Sequence, residues 1–117
     1  MSMLEAQQLV ELVRAIEQNQ QILANNLANV NTPEYRTARM RFKTALEDLM
    51  DDKGRMRPGA KLETEIYRPM FQADSEGNDV SLDREMVELT KNTLRLKLHL
   101  SVLSGKIRKM RTAISGR

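Results

Sequence analysis

The chain has 117 residues, enough for one domain, and its four aromatic residues are too few for a large globular core. It has no cysteine, which excludes disulfides, thiolate metal sites and a thiol nucleophile. The net charge is only +3, but eight basic residues and no acidic residue lie between positions 91 and 117.

The first predicted element is a long helix from Met3 to Val30. Its apolar residues recur in alternating steps of four and three, the 3.5-residue period of a helix that packs lengthwise against another helix. Pro33 ends this helix because it biases Thr32 away from helical backbone angles. The stripe of this first helix consists of Leu9, Val13, Ile16, Gln20, Leu23, Leu27 and Val30.

The middle segment, residues 33–80, has a different pattern. Phe42, Ala45 and the apolar residues up to Met50 have helical spacing, which predicts a short helix. Leu62, Thr64 and Ile66 alternate with Glu63, Glu65 and Tyr67, which predicts one short exposed strand, whose partner comes either from this chain or from another. Residues 74–78 are expected to form a loop that is mobile until it binds.

The last predicted element is a helix from Leu82 to Ile114, with Ser81 or Asp79 as its N-cap. It repeats the alternation of four and three steps without a break, so it also carries the stripe of a coiled coil. The stripe of this second helix consists of Leu82, Met86, Leu89, Thr93, Leu96, Leu100, Leu103, Ile107 and Met110, followed by Ile114.

The two stripes predict an all-α-dominated fold, an antiparallel coiled-coil hairpin with a short irregular middle segment. In one register, residue numbers in contact sum to about 112 or 113, and the polar breaks Gln20 and Thr93 then share a layer. A buried polar layer fixes helix register at some loss of stability. We therefore predict one domain over residues 1–117, divided into segments 1–32, 33–80 and 81–117.

The residue inventory argues against catalysis, a cofactor or a bound metal. His99 is the only histidine and lies between Leu98 and Leu100, and the five glycines form no phosphate loop. No run approaches the ~18 apolar residues of a membrane span, so we expect no direct membrane insertion. The N-terminus lacks the pattern of a cleavable signal peptide, which predicts that any export uses another route.

The basic stretch of the second helix leaves several interpretations open. It is either a solvated face that complements the helix C-terminus, a cationic surface that meets an acidic neighbour, or a nucleic-acid contact. No base-reading motif accompanies the charge. A basic helical adaptor or secretion chaperone and a nucleic-acid-binding helical module are therefore the alternatives to the function inferred next.

An asparagine-rich run, residues 24–36, is harder to explain as structure alone. Asn25, Asn26, Asn29 and Asn31 weaken a helix because their side chains compete for backbone hydrogen bonds, so they suit either a fraying helix end or contacts between molecules. Residues 24–29 read Ala-Asn-Asn-Leu-Ala-Asn, and residues 32–35 read Thr-Pro-Glu-Tyr.

These two runs resemble the N-terminal signature of bacterial flagellar axial proteins, the rod and hook family, which reads Ala-Asn-Asn-Ile-Ala-Asn and then Thr-Pro-Gly-Tyr. Glu34 stands where the family has Gly, which argues against a glycine-specific turn there. Residues 79–86, 103–106 and 110–114 are similar to the proximal-rod branch of the same family. The resemblance covers both predicted helices.

The resemblance implies a structural subunit of the basal-body rod, in the periplasmic part of the cell envelope, that transmits torque to hook and filament. It also implies export through the flagellar type III apparatus without cleavage. The implied partners are other copies, neighbouring rod proteins, rod-base adaptor proteins and membrane-ring proteins, without nucleic acid. The subunit contacts that we predict on this basis are Asn25, Asn26, Asn29, Asn31, Thr32, Pro33, Tyr35, Lys106, Arg108 and Arg111.

Overall fold

The computed structural model describes residues 3–44, 46–53, 55 and 57–116. Two long helices lie side by side in opposite directions and give a molecule of 63 × 27 × 19 Å. The predicted all-α-dominated hairpin with a short middle segment is confirmed. The elements in chain order are α1 (Met3–Ala28), β1 (Arg39–Phe42), α2 (Leu46–Leu49), β2 (Thr64–Tyr67) and α3 (Leu82–Ser115).

The ends of α3 follow from local chemistry. Ser81 has an extended backbone, and its hydroxyl accepts a hydrogen bond from the backbone N–H of Arg84 at 3.3 Å, so Ser81 is the N-cap. Gly116 has a φ of 71°, and its N–H donates to the carbonyl oxygen of Thr112 at 2.9 Å. The helix therefore begins at its predicted residue and ends one residue after the predicted Ile114.

The middle segment contains a strand that the helical spacing had concealed. β1 and β2 pair antiparallel, with Arg39 opposite Tyr67 and Phe42 opposite Thr64, so the predicted strand finds its partner within this chain. The assignment of Phe42 to a short helix is wrong. Met40 is buried and Arg41 exposed, the two-residue alternation of a strand. Ala45 lies outside the described residues.

A small apolar core lies on one side of the hairpin, near the start of α1. Leu9, Leu12 and Ile16 of α1 contact Leu49 of α2, and all four side chains are almost completely buried. Half-buried side chains surround them, and this shell consists of Phe42, Met50, Ala60, Leu62, Leu96 and Leu103. Burial of each large apolar side chain contributes about 1.5–3 kcal/mol, so this cluster fastens the middle segment to α1.

Polar side chains span the interface between α1 and α3 at intervals of seven residues. Asn19 Nδ2 donates to Asn92 Oδ1 at 2.7 Å, and Lys106 Nζ lies 2.9 Å from Glu5 Oε1. We call the whole set the polar ladder. Its three pairs are separated by seven or fourteen residues on each helix, and they are Glu5 with Lys106, Asn19 with Asn92, and Asn26 with Glu85.

The central pair of the polar ladder belongs to a larger layer. Gln20 Nε2 donates to Thr93 Oγ1 at 2.8 Å, so these two residues share a layer, as the register inferred from the sequence predicts. Asn92 Nδ2 donates to Gln20 Oε1 at 2.7 Å and to the carbonyl oxygen of Ile16 at 3.0 Å. The polar layer therefore includes both asparagines, and each polar group in it fixes the position of another.

The stripe of α3 differs from the prediction at five positions, one of which is Ile114 at 81% exposure. Leu82, Met86, Leu100 and Ile107 are 40–54% exposed, although Leu89, Leu96, Leu103 and Met110 are half-buried. The helix is rotated by about one residue because Glu85, Asn92 and Lys106 find polar partners on α1. On α1 the predicted stripe fits better. Leu9, Val13, Ile16 and Leu23 are buried, and Gln20, Leu27 and Val30 are half-buried.

Asn92→Ala should lower the free energy of unfolding by about 2 kcal/mol, because it leaves the buried Nδ2 of Asn19 and the half-buried Oε1 of Gln20 without their partner. The double variant N19L/N92L should recover most of that loss, because it removes both partners together. Urea denaturation of the three proteins measures the difference.

Asn25→Ala is the matched control, because Asn25 is an exposed asparagine of the same hairpin. It should change the free energy of unfolding by less than about 0.5 kcal/mol. An Asn92→Ala variant as stable as this control would contradict a stabilising role for the layer.

Candidate assembly surfaces

Asn26 connects the end of α1 to the chain that follows it. Its Nδ2 donates to the carbonyl oxygen of Ala38 at 2.8 Å, and its Oδ1 accepts from the backbone N–H of Ala38 at 3.0 Å and from the Tyr35 hydroxyl at 3.2 Å. The side chain is completely buried. Asn26 therefore offers no exposed group for the predicted contact with a neighbouring subunit, since its amide is used within the chain.

The same amide also reaches α3. Asn26 Nδ2 lies 3.3 Å from Glu85 Oε2, and Arg39 Nη1 donates to that oxygen at 2.7 Å. Glu85 is completely buried and Arg39 is largely buried, so the pair is stable only with both members present. Asn26, Arg39 and Glu85 thus join α1, β1 and α3, and we call them the amide joint.

Sequence reasoning did not identify the amide joint. Glu85 lies in the first turn of α3, where carboxylates usually face solvent, so its position in the sequence gives no sign of burial. One available signal was its spacing from Asn92, which is one heptad and matches the spacing of Asn19 and Asn26 on α1. Two polar residues one heptad apart on each helix indicate a shared polar interface.

The turn after α1 is held by Asn78. Its Nδ2 donates to the carbonyl oxygens of Asn29 at 2.9 Å and Thr32 at 2.8 Å, which satisfies carbonyl groups at the end of the helix. Asn29 and Thr32 also interact with each other, Thr32 Oγ1 donating to Asn29 Oδ1 at 3.0 Å. Asn78 is buried and fixes the path of the chain leaving α1.

The predicted contacts in this region therefore separate into three groups. Asn26 is buried, and Asn29 and Tyr35 are half-buried with hydrogen bonds inside the chain. The remaining four side chains lie on the surface and stay candidates for contacts with another subunit. They are Asn25, Asn31, Thr32 and Pro33.

Glu34 adopts the left-handed backbone conformation that a glycine would favour, with a φ of 62°. Its N–H donates to the carbonyl oxygen of Glu76 at 2.8 Å, which joins the turn after α1 to the loop before α3. Gly77 lies directly against it, since a Cβ on Gly77 would be 3.4 Å from Glu34 Cα. The turn is retained despite the glutamate, at the steric cost of a side chain in this region.

The loop at residues 74–78 is a closed turn. Asp74 Oδ1 accepts from the backbone N–H groups of Glu76 at 2.9 Å and Asn78 at 3.1 Å, and the Asp74 N–H donates to the Asn78 carbonyl oxygen at 2.7 Å. The sequence predicts a loop that is mobile until it binds. The structure shows a hydrogen-bonded turn at these residues in the isolated chain.

Asp79 anchors the chain immediately before α3. Its Oδ1 accepts from the N–H of Thr37 at 2.6 Å and from the Thr37 hydroxyl at 2.8 Å, and Oδ2 lies 3.7 Å from Arg36 Nη1. Burial alone raises the pKa of Asp79, but the two Thr37 donors and the Arg36 charge outweigh it, and the pKa lies below its ordinary value. The carboxylate is thus held in its charged form.

The basic end of the hairpin has two kinds of cation. Lys106 is largely buried beside Glu5, so this predicted subunit contact makes an ion pair within the chain. Arg108 and Arg111 are exposed on the last turns of α3. His99 is half-buried, and its Nδ1 lies 2.8 Å from the carbonyl oxygen of Arg95, a contact within the helix.

The described residues contain neither a helix suited to span a membrane nor a group of metal ligands. Neither long helix carries the extended apolar sequence that crossing a bilayer requires, over the parts of the chain that the structure describes. The same residues bring no three His, Cys, Asp or Glu side chains together in a way that could hold a metal ion.

Comparisons with known proteins identify related chains. The family model described as Flagella basal body rod protein matches residues 15–36, which contain Asn26 and the turn after α1. FlgB, the flagellar basal body rod protein of Escherichia coli, is 32% identical over an alignment of 114 positions that covers 80% of this chain and 80% of that protein. FlgB of Cereibacter sphaeroides is 30% identical over 86% of this chain and 85% of its own length. FlgB of Bacillus subtilis is 25% identical over 83% and 82%.

Glu34→Gly should raise the free energy of unfolding by about 1 kcal/mol, because glycine adopts the left-handed conformation without the steric penalty of a side chain. Thermal or urea denaturation measures the change. Glu63→Gly is the matched control, an exposed position without a positive φ, and it should be neutral or destabilising. A stabilisation of equal size in both variants would contradict the explanation.

The lowered pKa of Asp79 predicts a loss of stability in acid. Its contribution is fully present above the unfolded-state pKa of about 3.8 and is lost as the pH falls through the lower folded-state pKa. Asp79→Asn should therefore destabilise the chain at pH 7 and flatten the fall in stability below pH ~4. Denaturation between pH 7 and pH ~2.5 tests this.

Glu63→Gln removes one exposed carboxylate and is the control for the Asp79 experiment. It should leave the stability at pH 7 nearly unchanged. If Asp79→Asn and the wild type lose stability in parallel below pH ~4, Asp79 does not contribute to the acid transition.

Proposed function

The chain belongs to the FlgB family of flagellar basal body rod proteins, and on that premise we propose that it is a non-catalytic structural subunit of the proximal rod, which helps to transmit torque to hook and filament. The observation that carries the proposal is the 32% identity over most of both chains with a rod protein of this family. Residues 1–117 act as one rod-subunit unit in this proposal, located in the basal body.

The interface between α1 and α3 is suited to resist a force that acts along the hairpin. A force along the hairpin would slide α1 against α3, and such sliding separates the three pairs of the polar ladder at once. Buried polar groups resist a change of register because a displaced donor or acceptor loses its partner in a medium of low dielectric constant. The polar ladder therefore supports a stiff unit that keeps its length under torque.

The exposed apolar residues of α3 support assembly through the terminal helices. Leu82 and Met86 are 54% and 49% exposed, and Leu100 and Ile107 continue the same stripe toward the end of the helix. Apolar stripes at this spacing are typical of helices that pack against others. We propose that helices of neighbouring subunits cover this stripe, which we call the α3 shoulder.

The partners in this proposal are other copies of the chain, neighbouring rod proteins, rod-base adaptor proteins and membrane-ring proteins. Delivery is by the flagellar type III export apparatus without cleavage. Asn25, Asn31 and Thr32 supply exposed polar contacts, and Pro33 an exposed apolar one, at the opposite end of the hairpin from the basic residues.

A strain lacking the chain should build no complete rod and should not swim, and the wild-type gene should restore both. Electron cryo-microscopy of purified basal bodies should show density for the hairpin in the proximal rod. Normal swimming without the chain, or basal bodies that lack it, would refute the proposed function.

Met86→Asp with Leu100→Asp should reduce incorporation into basal bodies at least tenfold, because each carboxylate would be buried without a partner in the assembled α3 shoulder. The isolated chain should lose about 1 kcal/mol at most, since both side chains are already well exposed. Immunoblots of purified basal bodies and swimming in soft agar measure the effect.

The control for the α3 shoulder is Ser101→Asp, which adds a carboxylate to α3 at an exposed position outside that stripe. It should assemble normally. Equal incorporation of the shoulder variant and this control would show that the shoulder is not an assembly surface.

A further inference from the structure

The last third of α3 has a composition and a placement that the coiled-coil hairpin does not explain. We propose that residues 103–115, which we call the cationic end, form a docking site for an amphipathic α-helix of another protein with carboxylates along its flanks. The inference rests on the proposed function only in that this partner is another component of the rod.

The apolar side of the cationic end continues the interface between α1 and α3. Leu103 is half-buried and packs against the core, and Met110 is half-buried. Ile107 and Ile114, on the same face at helical spacing, are 42% and 81% exposed. The apolar stripe therefore begins in the packed interior of the hairpin and ends on its surface. This arrangement is expected where a further helix extends the interface between α1 and α3.

The pairing of Lys106 with Glu5 shows where this transition lies. It places the first turn of α1 opposite Lys106, so the turns of α3 from Met110 onward lie beyond the described residues of α1. A helix that continued the line of α1 would cover Ile107, Met110 and Ile114. The exposed face thus lies where one further helix, in line with α1, would pack.

The charges around the stripe all have one sign. Arg108, Lys109 and Arg111 are exposed, and none of them takes part in an ion pair among the described residues. No acidic residue occurs after Glu88. A partner helix with carboxylates beside its apolar stripe would complement this surface, in the way that flanking charges select partners in coiled coils.

A groove at this end adds a place for one carboxylate. It has a volume of about 230 Å³ and lies between α3 and the loop after α2. Asp51 shapes that loop, because its Oδ1 accepts from the N–H groups of Lys53 at 2.9 Å and Arg55 at 2.8 Å. The residues lining the groove are Glu5, Lys53, Arg55, Lys106 and Lys109. Lys106 is paired with Glu5 and Arg55 with Asp51, so the charges of Lys53 and Lys109 make the groove cationic.

A protein helix fits this surface better than nucleic acid or a membrane does. The cationic end contains no aromatic side chain to stack on a base or to anchor at a lipid interface. Binding to phosphates would leave Ile107 and Ile114 in water. The apolar stripe and its cationic flanks are both used only when the partner is an amphipathic helix.

The test uses the purified full chain and a synthetic four-heptad helix with Leu at positions a and d and Glu at positions e and g. Calorimetry should detect binding that weakens about tenfold between 50 and 300 mM salt, because the attraction is screened. The same peptide with Lys at e and g should not bind. Vesicles of phosphatidylglycerol and phosphatidylcholine and a duplex DNA of 20 base pairs are the two further probes.

Ile107→Ser with Ile114→Ser, and separately Arg108→Glu with Arg111→Glu, should each weaken binding of the Glu peptide at least tenfold. The matched controls are Leu94→Ser with Leu98→Ser and Lys91→Glu with Lys97→Glu, which make the same changes at exposed positions elsewhere on α3. They should bind within about threefold of the wild type. Circular dichroism checks that all four variants keep the wild-type helix content.

Equal loss in the matched controls, no binding of the Glu peptide, or binding to the vesicles or the DNA in its place would each overturn the inference. These measurements are made on the isolated chain, so such a result leaves the rod assignment standing. Conversely, if purified basal bodies lack the chain, the rod assignment is refuted even when the Glu peptide binds as expected.

Discussion

The structure depends on polar side chains buried between two helices. At its centre Asn19, Gln20, Asn92 and Thr93 form one hydrogen-bonded layer, and the amide joint closes the hairpin at its turn. An apolar interface between heptad stripes tolerates several registers, since one leucine packs much like another. Polar pairs do not, because each displaced group loses its partner. The register is therefore set by hydrogen bonds, and apolar burial supplies the attraction.

The same constraint accounts for the exposed surface of α3. Because Glu85, Asn92 and Lys106 face α1, the helix is rotated, and part of its apolar stripe is directed away from the hairpin. The hairpin therefore buries less apolar surface between its own helices and leaves more apolar surface exposed on α3. In a monomer such a surface is a liability for solubility, whereas in a subunit of a larger assembly it provides the contacts. The polar ladder and the α3 shoulder are two results of one helix orientation.

The sequence alone specified the hairpin, because two stripes with a 3.5-residue period identify both helices, and the polar breaks Gln20 and Thr93 bring them together in one antiparallel layer. It failed where a residue has an unusual environment. Glu85 looks like any first-turn carboxylate until Arg39 and Asn26 are brought to it from distant positions. β1 was missed because four residues with two arginines give a weak alternation that a helical reading of Phe42 obscured. Asn26 resembled a surface amide, and its burial depends on contacts with residues 35–38 that no local pattern reveals.

The amide of Asn26 also limits which side chains that position accepts. It donates through nitrogen to Ala38 and Glu85 and accepts through oxygen from Ala38 and Tyr35. Aspartate has the same shape but supplies only acceptors and would bring a second negative charge beside Glu85. Leucine has a similar volume and neither function, and glutamine is longer by one methylene. None of these three side chains replaces the amide, so a redesigned hairpin would have to change the groups at Tyr35, Ala38 and Glu85 together with this one side chain.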